Sequence, residues 1–130
     1  MEMKIHESAE NYLETILVLQ QRKGNVRSVD IANELEYSKP SVSIAMKNLR
    51  ENGYIQVDDA GNISLLPEGH RIAQLVYEKH TLLTNCLIAL GVPAEVAAED
   101  ACRIEHVLSK ESFEAIRNHF QKLGHKEGTV

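Results

Sequence analysis

Four residues in the second half of the chain have the types and the spacing of metal ligands. Cys102, Glu105 and His106 stand at i, i+3 and i+4, which on a helix aims three side chains at one point. Upstream, His80 interrupts an apolar stripe made by Val76, Leu83 and Leu87. Thiolate sulfur, imidazole nitrogen and carboxylate oxygen together suit a divalent transition ion. Glu105 falls on the stripe of Ala98, Ala101, Cys102 and Leu108, where a carboxylate is costly unless it is paired or holds a metal. Near the N-terminus, Glu7, Asn11 and Glu14 flank a further apolar stripe. Three helices then offer S, N and O donors to a shared interior, as metal sites in helical bundles do. A plainer reading stands beside this one. His80 is then a hydrogen-bonded core histidine, Glu105 and His106 an ion pair, and Cys102 a small buried hydrophobe.

The elements that must position these residues follow from periodicity and punctuation. Residues 7–22 have the amphipathic helical pattern of Ala9, Tyr12, Leu13, Ile16, Leu17 and Leu19, with Ser8 as its cap and Gly24-Asn25 as its stop. Ser28 caps a short second helix over 29–35, and Glu36-Tyr37-Ser38 leads to a third with Pro40 in its first turn. Asn52-Gly53 ends it. Two short β-rich stretches, 54–57 and 63–65, flank Asp58-Asp59-Ala60-Gly61-Asn62, which predicts a hairpin. A long helix is expected from Pro67 to about Leu90, a fifth over about 94–108, and a sixth, capped by Ser109, over 110–123. The tail from His125 is polar and is expected to fray.

Three helices followed at once by a hairpin are the order of a winged helix-turn-helix. Ile31, Leu35, Val42 and Leu49 would hold the helix pair at a steep angle, with Ala32 at the contact and Tyr37 plugging the turn. The third helix would then enter the major groove. Ser38, Lys39, Pro40, Ser41, Ser43, Ile44 and Lys47 are its expected exposed positions. Small hydroxyls and a flat proline suit close approach to thymine methyls and phosphates, and Arg27, Lys39 and Lys47 suit phosphates. The acids at the hairpin tip, Asp58 and Asp59, would repel phosphate.

Composition sets the frame. The chain has 130 residues, 43% hydrophobic and 25% charged, close to soluble globular averages and unlike a disordered segment. No apolar run approaches a membrane span, and the polar start is unlike a signal peptide. Two cysteines, Cys86 and Cys102, are too few for a disulfide scaffold and imply thiols in a reducing, cytoplasmic compartment. The net charge of −5 argues against binding nucleic acid over the whole surface. Residues 22–50, however, carry six Lys/Arg against three acids, a local +3. The chain is therefore expected to be mainly α, with a winged-helix DNA-binding domain over 1–66 and a helical domain over 67–130.

The stretch AENYLETI, the helix-turn-helix SVDIANELEYSKPSVSIAMKNLRENGYI, the EKHTLL segment and the motif DACRIEHVLS resemble the diphtheria toxin repressor and manganese transport regulator family. The resemblance covers roughly residues 5–123. It implies a bacterial metalloregulator that binds DNA as a dimer when loaded with Fe²⁺ or Mn²⁺. It also implies that His80, Cys102, Glu105 and His106 are ligands, and that Glu14 matches a ligand of the manganese branch. Asn11 falls where that branch has Asp and the iron branch Met. The chain ends where the iron regulators continue into an SH3-like domain, which places it with the short members.

The expected function is thus a non-enzymatic repressor, controlling metal homeostasis genes by binding operator DNA as a homodimer. The metal is expected between the first, fourth and fifth helices, tying the helix before the DNA-reading pair to the dimer domain. Cys102 favours Fe²⁺ over Mn²⁺, while Zn²⁺, Co²⁺ or Ni²⁺ should substitute in vitro. Leu82, Leu83, Leu87, Leu90, Val96, Ile104, Ile116 and Phe120 are the expected dimer surface. Neither a membrane nor a small organic ligand is expected as partner. The rival is a metal-independent winged-helix regulator in which His80 and Glu105 form a buried polar network. A metallohydrolase with Glu105 as base would need an open, substrate-accessible pocket, and the sequence offers no oxyanion-type cluster or Gly-rich loop to support one.

Overall fold

The computed structural model describes residues 7–122 and divides the chain into two compact units, Met1–Leu75 and Val76–Val130. Six helices and two strands follow in order: α1 (Glu7–Lys23), α2 (Ser28–Leu35), α3 (Lys39–Glu51), β1 (Ile55–Val57), β2 (Ile63–Leu65), α4 (Pro67–Ala89), α5 (Ala94–Ile104) and α6 (Lys110–Lys122). The boundary between the units falls inside α4. The expected end of the sixth helix at Leu123 and the tail from His125 lie outside the described residues.

The first unit is a three-helix bundle with a hairpin. Leu13, Ile16, Val26, Ile31, Val42 and Ile55 are its fully buried large side chains. Each such burial contributes about 1.5–3 kcal/mol, so α1, α2, α3 and β1 all hold the same core. On α3 the buried set is Val42, Met46 and Leu49, at helical spacing, which leaves the opposite face to solvent. Leu35 is only half-buried, and Tyr37 does not plug the turn. Tyr37 stays 45% exposed and meets the buried Tyr12 edge-on, ring centroids 5.9 Å apart. Burial, with Tyr37 beside it, raises the Tyr12 hydroxyl above its ordinary pKa.

In the first unit, local chemistry places the helix ends one residue or so from expectation. Ser8 lies inside α1, and the cap of α2 is Arg27 rather than Ser28. The Arg27 N–H donates to Asp30 Oδ2 (2.9 Å), and Lys23 Nζ holds Asp30 Oδ1 (2.8 Å). These two donors keep the Asp30 carboxyl below its usual range, the Lys23 bond leading. At α3, Ser38 Oγ accepts the Ser41 N–H (3.2 Å) and donates to Ser41 Oγ (2.9 Å), a cap at the expected position. Glu36 takes the left-handed conformation (φ 60°) to turn the chain between α2 and α3.

β1 and β2 pair antiparallel with Ile55 opposite Leu65 and Val57 opposite Ile63. The segment before α2 adds a further rung, Ile63 N–H to the Val26 carbonyl (2.7 Å), which no periodicity foretells. Asp58 is exposed at the hairpin tip and has a structural role as well. Its carboxylate accepts the Ala60 and Asn62 N–H groups (2.9 and 2.8 Å), so it builds the turn, and those bonds hold its pKa below the ordinary aspartate value. Behind the wing, Gly69 sits in the first turn of α4 where any Cβ would collide with the Tyr54 carbonyl oxygen.

The second unit comprises the later turns of α4 together with α5 and α6. Val76, Leu83, Ala97, Ala101, Phe113 and Phe120 are buried. Leu83 and Phe120 therefore belong to the monomer's core and not to an exposed dimer surface. Ile88, Leu90 and Val96 remain outside, at 42%, 80% and 45% exposure. Ser109 caps α6 as expected, its Oγ accepting the Ser112 N–H (3.0 Å). Lys79 and Arg117 both stand over the Phe113 ring. Among the described residues, no helix is long and apolar enough to cross a membrane.

Candidate metal centre

α5 ends at Ile104, four residues short of the sequence expectation. Ser109 must start α6, so the chain turns in between. The Val107 and Leu108 N–H groups both reach the Ile104 carbonyl at 3.0 Å. Glu105 nonetheless keeps helical backbone angles, and its N–H bonds the Ala101 carbonyl (2.9 Å). The helical offset from Cys102 to Glu105 is therefore preserved although the helix has formally closed.

Glu105 is wholly buried, an uncommon place for a carboxylate. One oxygen, Oε1, lies 2.9 Å from His80 Nδ1, and the other, Oε2, lies 3.3 Å from His106 Nε2. Oε2 has no hydrogen bond among the described residues. The second contact is thus a close approach without good hydrogen-bond alignment. Taking a carboxylate out of water costs several kcal/mol, about as much as a well-placed partner returns. One good bond and one poor one leave this group under-compensated, as a ligand awaiting a cation would be.

The donor set fits that cation. One ligand atom each from Cys102, Glu105 and His106 lie within 4.8 Å of one another. Donors about 2.0–2.3 Å from a shared ion stand roughly 3–3.7 Å apart, so small side-chain movements complete the geometry. Histidine and cysteine ligate metals in their deprotonated forms, so ion binding at this donor set should weaken in acid. Cys86 is not in the cluster, and burial pushes its thiol pKa up. No disulfide links it to Cys102.

The remaining expected ligands are on α1 in the first unit. Glu14 is buried and Asn11 half-buried, and the Asn11 carbonyl accepts the Thr15 hydroxyl (2.8 Å).

The expected DNA-facing residues all lie in the first unit. Arg27, Ser38, Lys39, Pro40, Ser41, Ser43 and Lys47 are exposed. Periodicity did not suggest how Arg27 is held. Its guanidinium packs against Gly61 at the hairpin tip, 3.4 Å from where a Cβ would stand. The Asp58–Gly61 turn chemistry was the available signal.

A winged helix with a cationic, hydroxyl-rich outer face, joined in one chain to a helical unit holding a buried carboxylate between two imidazoles, defines a DNA-binding protein equipped for metal ligation. Two family models match it: "Iron dependent repressor, N-terminal DNA binding domain" over residues 4–62, and "Iron dependent repressor, metal binding and dimerisation domain" over 66–127. The chain belongs to the iron-dependent repressor family. It is 37% identical over 120 residues to the transcriptional regulator MntR of Escherichia coli, covering 92% of this chain and 77% of that one. Among solved structures it is similar to IdeR of T. acidophilum (27% identity, TM-score 0.77) and to the manganese regulator SloR (27%, 0.78). Each likeness covers 92% of this chain, which spans only 56% and 55% of those longer proteins.

Proposed function

We propose that the protein is a metal-activated transcriptional repressor that binds operator DNA as a homodimer in the cytoplasm and controls metal homeostasis genes. Residues 1–66 read DNA and residues 67–130 sense metal and dimerise. The observation that carries this reading is Glu105, wholly buried between the His80 and His106 rings with Cys102 beside it. Membership of the iron-dependent repressor family supports the DNA-binding half. The family resemblance adds Glu14 and Asn11 to the ligand set. Cys102 is a softer donor than oxygen, so Fe²⁺ is preferred over Mn²⁺, with Zn²⁺, Co²⁺ or Ni²⁺ able to substitute in vitro.

The test is fluorescence anisotropy on duplexes selected from a random library, with chelator or with each ion in turn. Metal should tighten binding by at least tenfold, and Cys102→Glu should shift the preference towards Mn²⁺. Lys39→Ala and Lys47→Ala should each reduce the salt slope by about 1. Equal affinity with chelator and with every ion would instead favour the metal-independent reading.

A further inference from the structure

The outward face of α3 carries one feature that phosphate binding does not use. Ile44 is 63% exposed, although the other large apolar side chains of the helix, Val42, Met46 and Leu49, are buried. Its neighbours one turn away on that face are Pro40, Ser41, Lys47 and Asn48, all exposed. The first turn has no acid, and Lys39 and Lys47 lie to either side of Ile44 along the helix. The arrangement is a small apolar ridge, Pro40–Ile44, edged by hydroxyls and flanked by cations. Leaving a branched aliphatic in water forgoes the gain its burial would bring, so the ridge matches a partner that is apolar at its centre and anionic around it. In a major groove one group meets that description, the thymine 5-methyl, which stands among phosphates and offers no hydrogen bond.

We propose that Ile44 is a specificity-determining residue that packs on a thymine methyl in the operator, within the register set by Lys39 and Lys47. This rests on the reading of α3 as the DNA-reading helix, and the test separates the two. The probe is a duplex selected by the wild-type, metal-loaded protein, in which each thymine is replaced singly by 2′-deoxyuridine to delete only its methyl. Wild type should lose about fourfold in affinity at one or two thymines per half-site, the worth of one buried methyl. Ile44→Ala should bind the parent duplex correspondingly less tightly and be indifferent to the replacement at those positions. Ile44→Val should keep most of the sensitivity. Since Ile44 is exposed, an unchanged melting temperature will show that both variants fold.

The same uridine penalty in Ile44→Ala as in wild type would overturn the proposal, as would wild type indifferent to every methyl. So would a change in oligomeric mass on Ile44→Ala with the methyl penalty intact, because the ridge would then face another protein chain. Failure of wild type to select any duplex would refute the DNA-binding reading itself.

Discussion

Replacing Glu105 by Gln separates a metal ligand from a buried polar bridge. The amide has the shape of the carboxylate and keeps an acceptor for His80 Nδ1, now 2.9 Å from Oε1. Its NH₂ takes the place of Oε2, 3.3 Å from His106 Nε2, where the carboxylate makes no hydrogen bond to lose. Metal-free stability should therefore change by no more than about 1 kcal/mol, the worth of one net hydrogen bond. The metal response should collapse. An ion present at 100 times its Kd and bound only to the folded state adds about 2.7 kcal/mol, or roughly 10 °C in a chain of this size. Outer-shell changes alone typically weaken metal sites 10–100-fold. A hundredfold loss is thus a lower expectation for a direct charged ligand, and at the same metal concentration it leaves about 0.4 kcal/mol. Urea unfolding of both proteins, each with chelator and with saturating Mn²⁺, reads all four numbers. A Glu105→Gln protein with the wild-type metal shift would refute the ligand assignment. Wild type with no shift in Mn²⁺, in Zn²⁺ or in anaerobic Fe²⁺ would refute the metal site altogether.

Two further predictions concern the wing. Gly69→Ala sets a methyl against the Tyr54 carbonyl, which already accepts the Leu66 N–H (2.9 Å). Overpacking against rigid backbone, offset by alanine's better helix propensity, should destabilise the first unit by about 2 kcal/mol. A variant as stable as wild type in urea would show that α4 does not approach the hairpin so closely. Asp58, whose pKa is depressed by its bonds to Asn62 and Ala60, stabilises the turn fully above its unfolded pKa. That contribution is lost as pH falls through the lower, folded value. In NMR titrations the Ala60 and Asn62 amides should hold their shifts to about pH 4 and move only in stronger acid. Asp58 titrating above the ordinary aspartate range would contradict the turn geometry.

Local sequence determined most of the elements because their signals are local. Apolar spacing, Pro40 and the Ser38 cap place α3, and Ser109 starts α6. The turn residues 58–62 close a hairpin whose strands carry Ile55 and Ile63 inward. The Cys102, Glu105 and His106 spacing was legible in the same way, since one helical offset needs no distant partner. What tertiary structure alone decided depends on groups far apart in sequence. The approach of Gly69 to Tyr54 and the Val26–Ile63 rung have no periodicity to announce them. Asp58 read from composition is only a surface charge; the fold adds a second role, as acceptor for the backbone N–H groups of the turn. Leu83 and Phe120 looked like interface residues until packing placed them in the core. Glu105 is the clearest case. Its spacing and its place on an apolar stripe marked it as a buried donor, but only the fold closes it off from water completely and sets His80, 25 residues away, at 2.9 Å. Desolvation and pairing, which give a carboxylate its chemistry, are properties of a neighbourhood and not of a stretch of chain.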